Sequence, residues 1–298
     1  MRCLITGGSG FIGRALCRSL LADGHEAIVL TRDPQRARRR LPAQVALIER
    51  LRDAPNVDAV VNLAGENLAE RRWTEARKQA LRESRLATTR NLVDWIGACK
   101  HNPRVLVSGS AVGWYGARGD EELAEDAAAG NDFAAQLCRD WEAEAAKATA
   151  FGVRVCRVRT GIVLDADGGA LEKMLLPFRL GLGGPFGDGR QWMSWIARED
   201  EVRLIRWLID TESAQGAYNA TAPMPVTNAD FTRALGAALH RPAILPAPAF
   251  ALRLMLGEMA DLLLTGQRVI PARAQAQGFK FLRGDLAAAL NAILHTAA

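Results

Sequence analysis

The chain has 298 residues, 49% hydrophobic and 24% charged, which is ordinary for a globular protein of one large or two modest domains. The formal net charge of +5 is carried mainly by arginine, but its one dense basic run, residues 36–40, has no interleaved aromatic residues, so we expect no nucleic-acid partner. The five cysteines form no C-x-x-C pair and the four histidines lie far apart, so we expect reduced thiols and no metal.

Short apolar runs alternate with helical segments along the first half of the chain. The predicted strands are residues 3–6, 27–30, 58–63, 105–107 and 153–158. The predicted helices are residues 11–21, 73–99, which fits one long helix or a helix pair, and 140–150. Apolar strands that alternate with helices predict an α/β fold with a doubly wound, mostly parallel sheet covered on both faces.

The turn between the first strand and the first helix is rich in glycine. It satisfies both G-x-x-G-x-x-G and G-x-G-x-x-G over residues 7–13. Glycine lets the backbone approach a pyrophosphate closely, and the N–H groups at the start of the helix hold its negative charge. The strand and helix on either side favour a Rossmann dinucleotide-binding turn over a merely tight turn. We predict cofactor contacts at Gly7, Gly10, Phe11, Ile12 and Gly13.

The second strand ends about twenty residues later, where dinucleotide-binding proteins place the residue that contacts the adenosine ribose. Here Thr31, Arg32 and Asp33 follow the strand. An arginine pairs with the 2′-phosphate of NADP, and a threonine hydroxyl can add a hydrogen bond. The alternative is that Asp33 binds the ribose, which would favour NAD. We predict NADP(H), held by Thr31 and Arg32.

Glycine and proline become frequent after Val163, and we expect loops to dominate as far as a proline-rich connector at residues 243–248. A buried or amphipathic helix over residues 250–264 and a terminal helix over 285–294 follow. The first of these is too short and too charged to cross a bilayer, and the N-terminus lacks the apolar stretch of a secretory signal, so we expect a cytoplasmic protein with no membrane partner. The predicted division is a Rossmann domain at 1–165 and a smaller substrate lobe with a helical extension at 166–298, parts of which can return to the Rossmann core.

Three short motifs together resemble the extended short-chain dehydrogenase/reductases of the nucleotide-sugar epimerase type: TGGSGFIG at 6–13, NLAG at 62–65 and SGS at 108–110. More narrowly, the chain resembles an uncharacterised epimerase-like family with a C-terminal extension. The segments that carry this resemblance are NLAGENLAERRW at 62–73, MLLPFRLGLGGPFGDGRQWMSWI at 174–196 and GQRVIPARAQAQGFKF at 266–281. They are spread over nearly the whole chain, so the resemblance implies the fold of that family.

The resemblance also implies which further residues contact NADP(H). Besides Thr31 and Arg32, they are Leu63 and Ala64 after the fourth strand, Arg85 on the following helix, and Val163 in the loop after the sixth strand. We add Gly65, because small residues at a strand end let the backbone lie against a flat ribose or adenine. Arg85 has an alternative interpretation, a charge on the helix surface paired with Glu83 or Glu66.

Catalysis in the wider superfamily, as the resemblance implies it, uses a tyrosine that exchanges a proton with the substrate, a lysine four residues later, and a serine that orients the substrate oxygen. The two tyrosines of this chain, Tyr115 and Tyr218, have no lysine at that spacing. Ser110 stands at the position of the orienting serine, and Tyr115 follows it, so we predict these two as catalytic candidates. Their structural alternatives are a cap for Ser110 and packing for Tyr115.

Four residues of the glycine-rich segment are candidates for substrate binding. Lys173 and Arg179 would bind an anionic group, and Gln191 and Trp195 would line a ring-shaped substrate, although a tryptophan here equally suits an interface between lobes. The resemblance implies a histidine directly after the Trp-Ile pair, where this chain has Ala197.

Two functional hypotheses follow from these residues. The first is an NADP(H)-dependent oxidoreductase or epimerase-like enzyme that acts on a small carbonyl or hydroxyl substrate without the usual tyrosine–lysine pair. The alternative is a catalytically silent NADP(H)-binding sensor or regulatory protein. The sequence leaves open whether the protein is a monomer or a homodimer.

Overall fold

The structure, a computed structural model, describes residues 1–295. Its strands are β1 (Arg2–Thr6), β2 (Glu26–Leu30), β3 (Ala46–Ile48), β4 (Ala59–Asn62), β5 (Val105–Ala111), β6 (Glu122–Leu123), β7 (Arg154–Thr160), β8 (Ile162–Asp165), β9 (Trp192–Met193), β10 (Trp195–Ala197), β11 (Gly216–Ala220), β12 (Val226–Thr227) and β13 (Arg268–Val269). Its α-helices are α1 (Phe11–Ala22), α2 (Pro34–Arg38), α3 (Glu75–Ala98), α4 (Phe133–Ala146), α5 (Gly169–Arg179), α6 (Arg198–Asp210), α7 (Asn228–Ala238), α8 (Ala249–Leu256), α9 (Asp261–Leu264), α10 (Ala272–Ala276) and α11 (Leu286–His295).

The main sheet contains seven parallel strands in the order β3-β2-β1-β4-β5-β7-β11. The chain builds outward from β1 to β3 and then returns to the other side of β1 with β4. In open α/β sheets, ligands bind beyond the carboxyl ends of the strands at such a reversal. The predicted doubly wound α/β fold is confirmed, and its reversal lies between β1 and β4.

Helices cover both faces of the main sheet because successive side chains of each strand point to opposite faces. Cys3 and Ile5 of β1 pack in one cluster with Leu16 of α1 and Ile205 of α6. Leu4, which lies between them in β1, packs in a second cluster with buried side chains of α3 and α4. The apolar strands are therefore buried on both sides, which explains why their sequences are continuous apolar runs.

The C-terminal part of the chain has a core of its own. Buried side chains of α5, α7 and α11 pack together around Trp195, including Phe178, Phe231 and Leu290. The chain enters this lobe from the carboxyl ends of β7 and β11, so the lobe adjoins the edge of the sheet where the strands end. Because β11 and α6 belong to the sheet layers, the division of the chain at residue 165 stays a prediction.

The structure selects one of the two alternatives for the segment 73–99 and shifts the bounds of the next predicted helix. The segment 73–99 forms the single helix α3. The predicted helix at 140–150 is wrong at both ends, since α4 begins at Phe133, where the Asp132 side chain caps it by accepting a hydrogen bond from the Ala135 N–H at 2.8 Å, and ends at Ala146. A 3-10 helix, Lys147–Phe151, follows it.

The glycine-rich region also differs from the expected loops. It contains α5, where Pro177 has no N–H to donate to the carbonyl one turn earlier, and the helix ends two residues later at Arg179. The predicted helix at 250–264 is not continuous: α8 ends before Gly257, whose φ of +60° breaks the helix, and a 3-10 helix precedes α9. Several of its apolar side chains are exposed, including Phe250 at 74% and Leu254 at 77%. The terminal helix is present as α11.

The crowding of Gly7 generates a prediction with a matched control. Gly7 and Gly24 both have a positive φ, +69° and +72°, but a Cβ at Gly7 would lie 2.5 Å from the Leu63 carbonyl oxygen, whereas a Cβ at Gly24 would meet open space. Both alanine variants carry the cost of a left-handed residue. We expect Gly7→Ala to lower the free energy of unfolding by about 1–3 kcal/mol more than Gly24→Ala, as overpacking does. Urea denaturation measures both, and equal losses would contradict the crowding.

Candidate functional site

The glycine turn connects β1 to α1 at the reversal of the sheet. Gly10 is the N-cap residue of α1, no side chain caps the helix, and no acidic residue lies in its first turn. The N–H groups and the positive end of the helix dipole are therefore available to an anion. Gly13 lets the helix pack closely on this turn, because a Cβ there would overlap the Gly7 carbonyl oxygen. The residues present fit a bound pyrophosphate.

A buried hydrogen-bond chain ties β1 to β4 beside this turn. The Thr6 hydroxyl donates to the Asn62 side-chain oxygen at 2.6 Å, and the Asn62 amide donates to the Thr89 hydroxyl of α3 at 2.8 Å. The Ala64 N–H in turn donates to Thr6 Oγ1 at 3.3 Å. These bonds position the backbone of Leu63 and Ala64, two of the predicted contact residues, beside the glycine turn.

The end of β2 carries an exposed arginine and a carboxylate that caps a helix. Asp33 Oδ1 accepts a hydrogen bond from the Arg36 N–H at 2.9 Å and so caps α2. Thr31 Oγ1 accepts from the Asp33 N–H at 3.2 Å. Arg32 is exposed between them. Of the two alternatives at this strand end, this arrangement favours Arg32 as the residue that meets a ligand.

Arg85 is a buried side chain of α3, only 8% exposed. Its guanidinium donates to the Leu81 carbonyl at 3.0 Å and to the Glu66 carbonyl at 2.9 Å, and burial lowers its pKa from the ordinary value. A Cβ at Gly65 would lie 3.0 Å from Arg85 Cζ, so the two residues are packed together. Arg85 is therefore not the surface charge of the alternative interpretation, and it supports the loop that follows β4.

Near the carboxyl ends of β5, β7 and β11, five buried residues form a group of polar contacts that we call the strand-end cluster. Ser110, Arg159 and Asn219 belong to these strands, Tyr115 follows β5, and Glu142 lies on α4. Arg159 donates to both carboxylate oxygens of Glu142, at 2.8 and 3.1 Å, and Ser110 donates to the same carboxylate at 2.7 Å. The Tyr115 hydroxyl accepts from Arg159 at 3.0 Å and donates to Asn219 at 2.6 Å. The cluster is a buried ion pair whose charges are satisfied by each other and by neighbouring polar groups.

The cluster brings the two catalytic candidates together, with their hydroxyl groups bonded to protein partners. Tyr115 is 0% exposed, and burial raises its pKa above the ordinary value although the Arg159 guanidinium opposes this shift. Ser110 is also buried, at the carboxyl end of β5.

A second buried acid lies at the end of β7. Glu201 of α6 is fully buried, and its Oε1 accepts a hydrogen bond from the Thr160 hydroxyl at 2.9 Å. Its Oε2 has no hydrogen-bond partner within residues 1–295. Burial raises the pKa of Glu201 to about 8, so the group is a neutral carboxylic acid near pH 7.

The remaining predicted residues lie in the C-terminal lobe or lead into it. Val163 is in the short strand β8, not in a loop, because β8 pairs with β10. Lys173 and Arg179 are exposed on α5. Gln191 ties two loops together by donating to the carbonyls of Phe186 at 3.1 Å and Leu263 at 2.7 Å.

Trp195 is 0% exposed in the core of the lobe and donates to the Met224 carbonyl at 3.2 Å. Its position matches the packing alternative, so Trp195 does not form one open surface with the exposed Lys173 and Arg179. The described part of the chain contains no group of three or more His, Cys, Asp or Glu residues placed to hold a metal ion. No helix among residues 1–295 is long and apolar enough to cross a membrane.

A glycine turn at the reversal of a seven-stranded parallel sheet is the arrangement of a dinucleotide-binding enzyme fold. Residues 3–221 match the model of the NAD dependent epimerase/dehydratase family. The chain belongs to this family. Residues 247–293 also match a domain of unknown function, DUF1731. The resemblance to an epimerase-like family with a C-terminal extension is confirmed.

Relatives within the epimerase family match over nearly their whole length. The epimerase family protein ML0860 of Mycobacterium leprae is 43% identical over 289 residues, which are 96% of this chain and 94% of that protein. The crystal structure of human epimerase family protein SDR39U1 with NADPH has a TM-score of 0.90 at 38% identity and covers 98% of this chain and 99% of that one. UDP-glucuronic acid 4-epimerase of Bacillus cereus shares the fold, with a TM-score of 0.78 at 16% identity, 98% of each chain being covered.

Several residues of this site were missed by sequence reasoning. They are Thr89, Glu142, Asn219 and Glu201, together with Arg159. Arg159 is one of three arginines in β7, with Arg154 and Arg157, and the strand sequence alone does not distinguish it from the other two. The side chain of Asn62 was likewise not recognised as the bridge between β1 and β4.

Glu201 predicts how stability changes with pH. Its folded-state pKa of about 8 lies above the ~4.3 of an unfolded glutamate, so the folded protein binds this proton more tightly. Between these values the free energy of unfolding falls as the pH rises, by at most about 1.4 kcal/mol per pH unit from this group. Glu201→Gln keeps an acceptor for Thr160 and removes the ionisation. We expect the variant to lose less stability than the wild type between about pH 5.5 and about pH 8.5 in urea denaturation.

The matched control is Glu199→Gln, which changes an exposed glutamate of the same helix, paired with Arg283 at 3.1 Å. The free energy of unfolding of this variant should depend on pH as that of the wild type does. The same pH dependence in Glu201→Gln and the wild type would show that Glu201 does not hold a proton in the folded protein.

Proposed function

We propose that the chain binds NADP(H) at the reversal between β1 and β4 and uses it as an oxidoreductase or epimerase-like enzyme on a small carbonyl or hydroxyl substrate. The observation that carries this proposal is the uncapped start of α1 behind the glycine turn, with Arg32 exposed at the end of β2 while Asp33 caps α2. The human relative that was crystallised with NADPH supports the choice of nucleotide.

The proposed cofactor contacts follow the carboxyl edge of the sheet. The pyrophosphate would lie on the backbone of the glycine turn, the 2′-phosphate on Thr31 and Arg32, and the adenosine along the loop after β4. The full proposed set is Gly7, Gly10, Phe11, Ile12, Gly13, Thr31, Arg32, Leu63, Ala64, Gly65, Arg85 and Val163. When bound, the nicotinamide supplies the hydride that is exchanged with the substrate carbon.

We propose distinct roles for the two catalytic candidates. Ser110 donates its proton to Glu142 at 2.7 Å, so its oxygen keeps lone pairs with which to orient a substrate hydroxyl. Tyr115 holds Arg159, which in turn fixes the carboxylate that Ser110 uses. With the Tyr115 hydroxyl engaged in this way, the proton of the reaction would be exchanged with water.

The alternative function, a catalytically silent NADP(H) sensor, is favoured by a different observation. Residues 132–139, which cover the first turns of α4 before Trp141, contain neither a tyrosine nor a lysine, so this helix offers no tyrosine–lysine pair for proton exchange. Oxidation of NADPH with a panel of small aldehydes and ketones separates the two functions: nucleotide binding without turnover of any of them would favour the sensor.

A small-molecule substrate, a cytoplasmic location and a monomeric or homodimeric state remain proposals. The Arabidopsis thaliana relative, 41% identical over 303 residues that are 99% of this chain and 87% of that protein, is described as chloroplastic.

The test of nucleotide binding is a fluorescence titration with NADPH and NADH. We expect the wild type to prefer NADPH, and Arg32→Ala to weaken NADPH binding by roughly tenfold or more, because a charge-assisted hydrogen bond contributes about 1.5–3 kcal/mol. NADH binding should change little. Arg52→Ala, at an exposed arginine beyond β3, is the control and should bind like the wild type. Equal affinity of the wild type for the two nucleotides would rule out the 2′-phosphate contact.

A further inference from the structure

A groove of about 920 Å³ lies at the β7–β11 edge of the main sheet, apart from the reversal between β1 and β4. It runs between the C-terminal end of α4 and the short helix α10, and residues of β7 and the start of β11 form its floor. This volume is within the range of roughly 300–1,000 Å³ that small-molecule sites occupy.

The groove is lined by cations without acids. Arg154, Arg157 and Arg273 line it, and none of its lining residues is Asp or Glu. The ends of two arginines meet at Gly216: a Cβ there would lie 2.8 Å from Arg273 Nη1 and 3.7 Å from Arg157 Nη2. Two guanidinium groups that approach each other repel, and a bound anion would relieve this repulsion.

Arg154 has a structural task in the fold. Its Nη1 donates to the carbonyls of Leu208 at 2.8 Å and Ala214 at 2.6 Å, and this bonding closes the turn after α6. Arg273 Nη1 donates to the Ala217 carbonyl at 2.8 Å. Since a guanidinium has five N–H donors, this one bond leaves most of the hydrogen-bonding capacity of Arg273 available.

Arg157 is held more loosely still. Its nearest carboxylate is Glu142, at 3.6 Å, beyond hydrogen-bond distance. Both oxygens of that carboxylate already accept hydrogen bonds from the Arg159 guanidinium, at 2.8 and 3.1 Å. Arg157 therefore presents a guanidinium whose charge is only partly compensated within the protein.

We propose that this groove binds a small molecule with at least two negative charges, on phosphate or carboxylate groups, between Arg157 and Arg273. Ser213, Gln215 and Gln277, which also line the groove, offer neutral hydrogen-bonding groups for the rest of the ligand. The site is independent of the glycine turn, so it does not rest on the binding of NADP(H).

The test is calorimetric titration of the full chain with inorganic pyrophosphate and, separately, with citrate at constant ionic strength. The first variant is the double substitution Arg157→Gln with Arg273→Gln. The second is Gln215→Glu, which brings a negative charge to an exposed residue that lines the groove. Arg52→Gln, at an exposed arginine outside the groove, is the control. An anion that also binds at the glycine turn contributes equally in all of them, so differences between variants report the groove.

We expect a binding event that the double variant weakens at least tenfold, that Gln215→Glu weakens in the same direction, and that Arg52→Gln leaves unchanged. The better of the two probes identifies the phosphate or the carboxylate source. Should the double variant fail to fold, Gln215→Glu alone decides, because its side chain is exposed. Unchanged binding in Gln215→Glu, or wild-type binding weaker than about 1 mM for both probes, would overturn the proposal.

Discussion

The hydrogen bond from Thr6 to Asn62 joins the ends of β1 and β4. After β1 the chain turns into α1, whereas after β4 it continues through the loop that Arg85 supports. Gly7 is pressed against the Leu63 carbonyl at this junction, so the glycine is required by the protein's own backbone. No side chain caps the start of α1 beside this junction, so an anion can reach its N–H groups.

The strand-end cluster imposes the second constraint on this edge of the sheet. The Glu142–Arg159 pair is buried, and removal of one partner of such a pair typically costs about 3–5 kcal/mol because the other charge is left uncompensated. Ser110 and Tyr115 are bound into this pair, so the positions of the two hydroxyl groups depend on it. The chemistry proposed for Ser110 is therefore linked to the stability of this part of the fold.

Local signals were visible in the sequence, whereas contacts between distant segments were not. The glycine turn was predicted from the spacing of its glycines, and the residues after β2 from their distance along the chain from that turn. The parallel sheet was predicted from the alternation of apolar runs and helices. The bond between Tyr115 and Asn219 joins residues 104 positions apart, and β11, which carries Asn219, has no apolar run to reveal it. Helix α5 was hidden by its glycine- and proline-rich surroundings. We predicted that Trp195 would line a ring-shaped substrate, but as a residue of β10 it is buried in the core of the C-terminal lobe.

A crystal structure of the protein grown with NADPH would show whether the nucleotide binds at the reversal between β1 and β4. We expect the pyrophosphate on the N–H groups of the first turn of α1, and the 2′-phosphate within hydrogen-bond distance of the Arg32 guanidinium. A nucleotide bound elsewhere, or a ribose held by Asp33 with Arg32 turned away, would contradict this expectation.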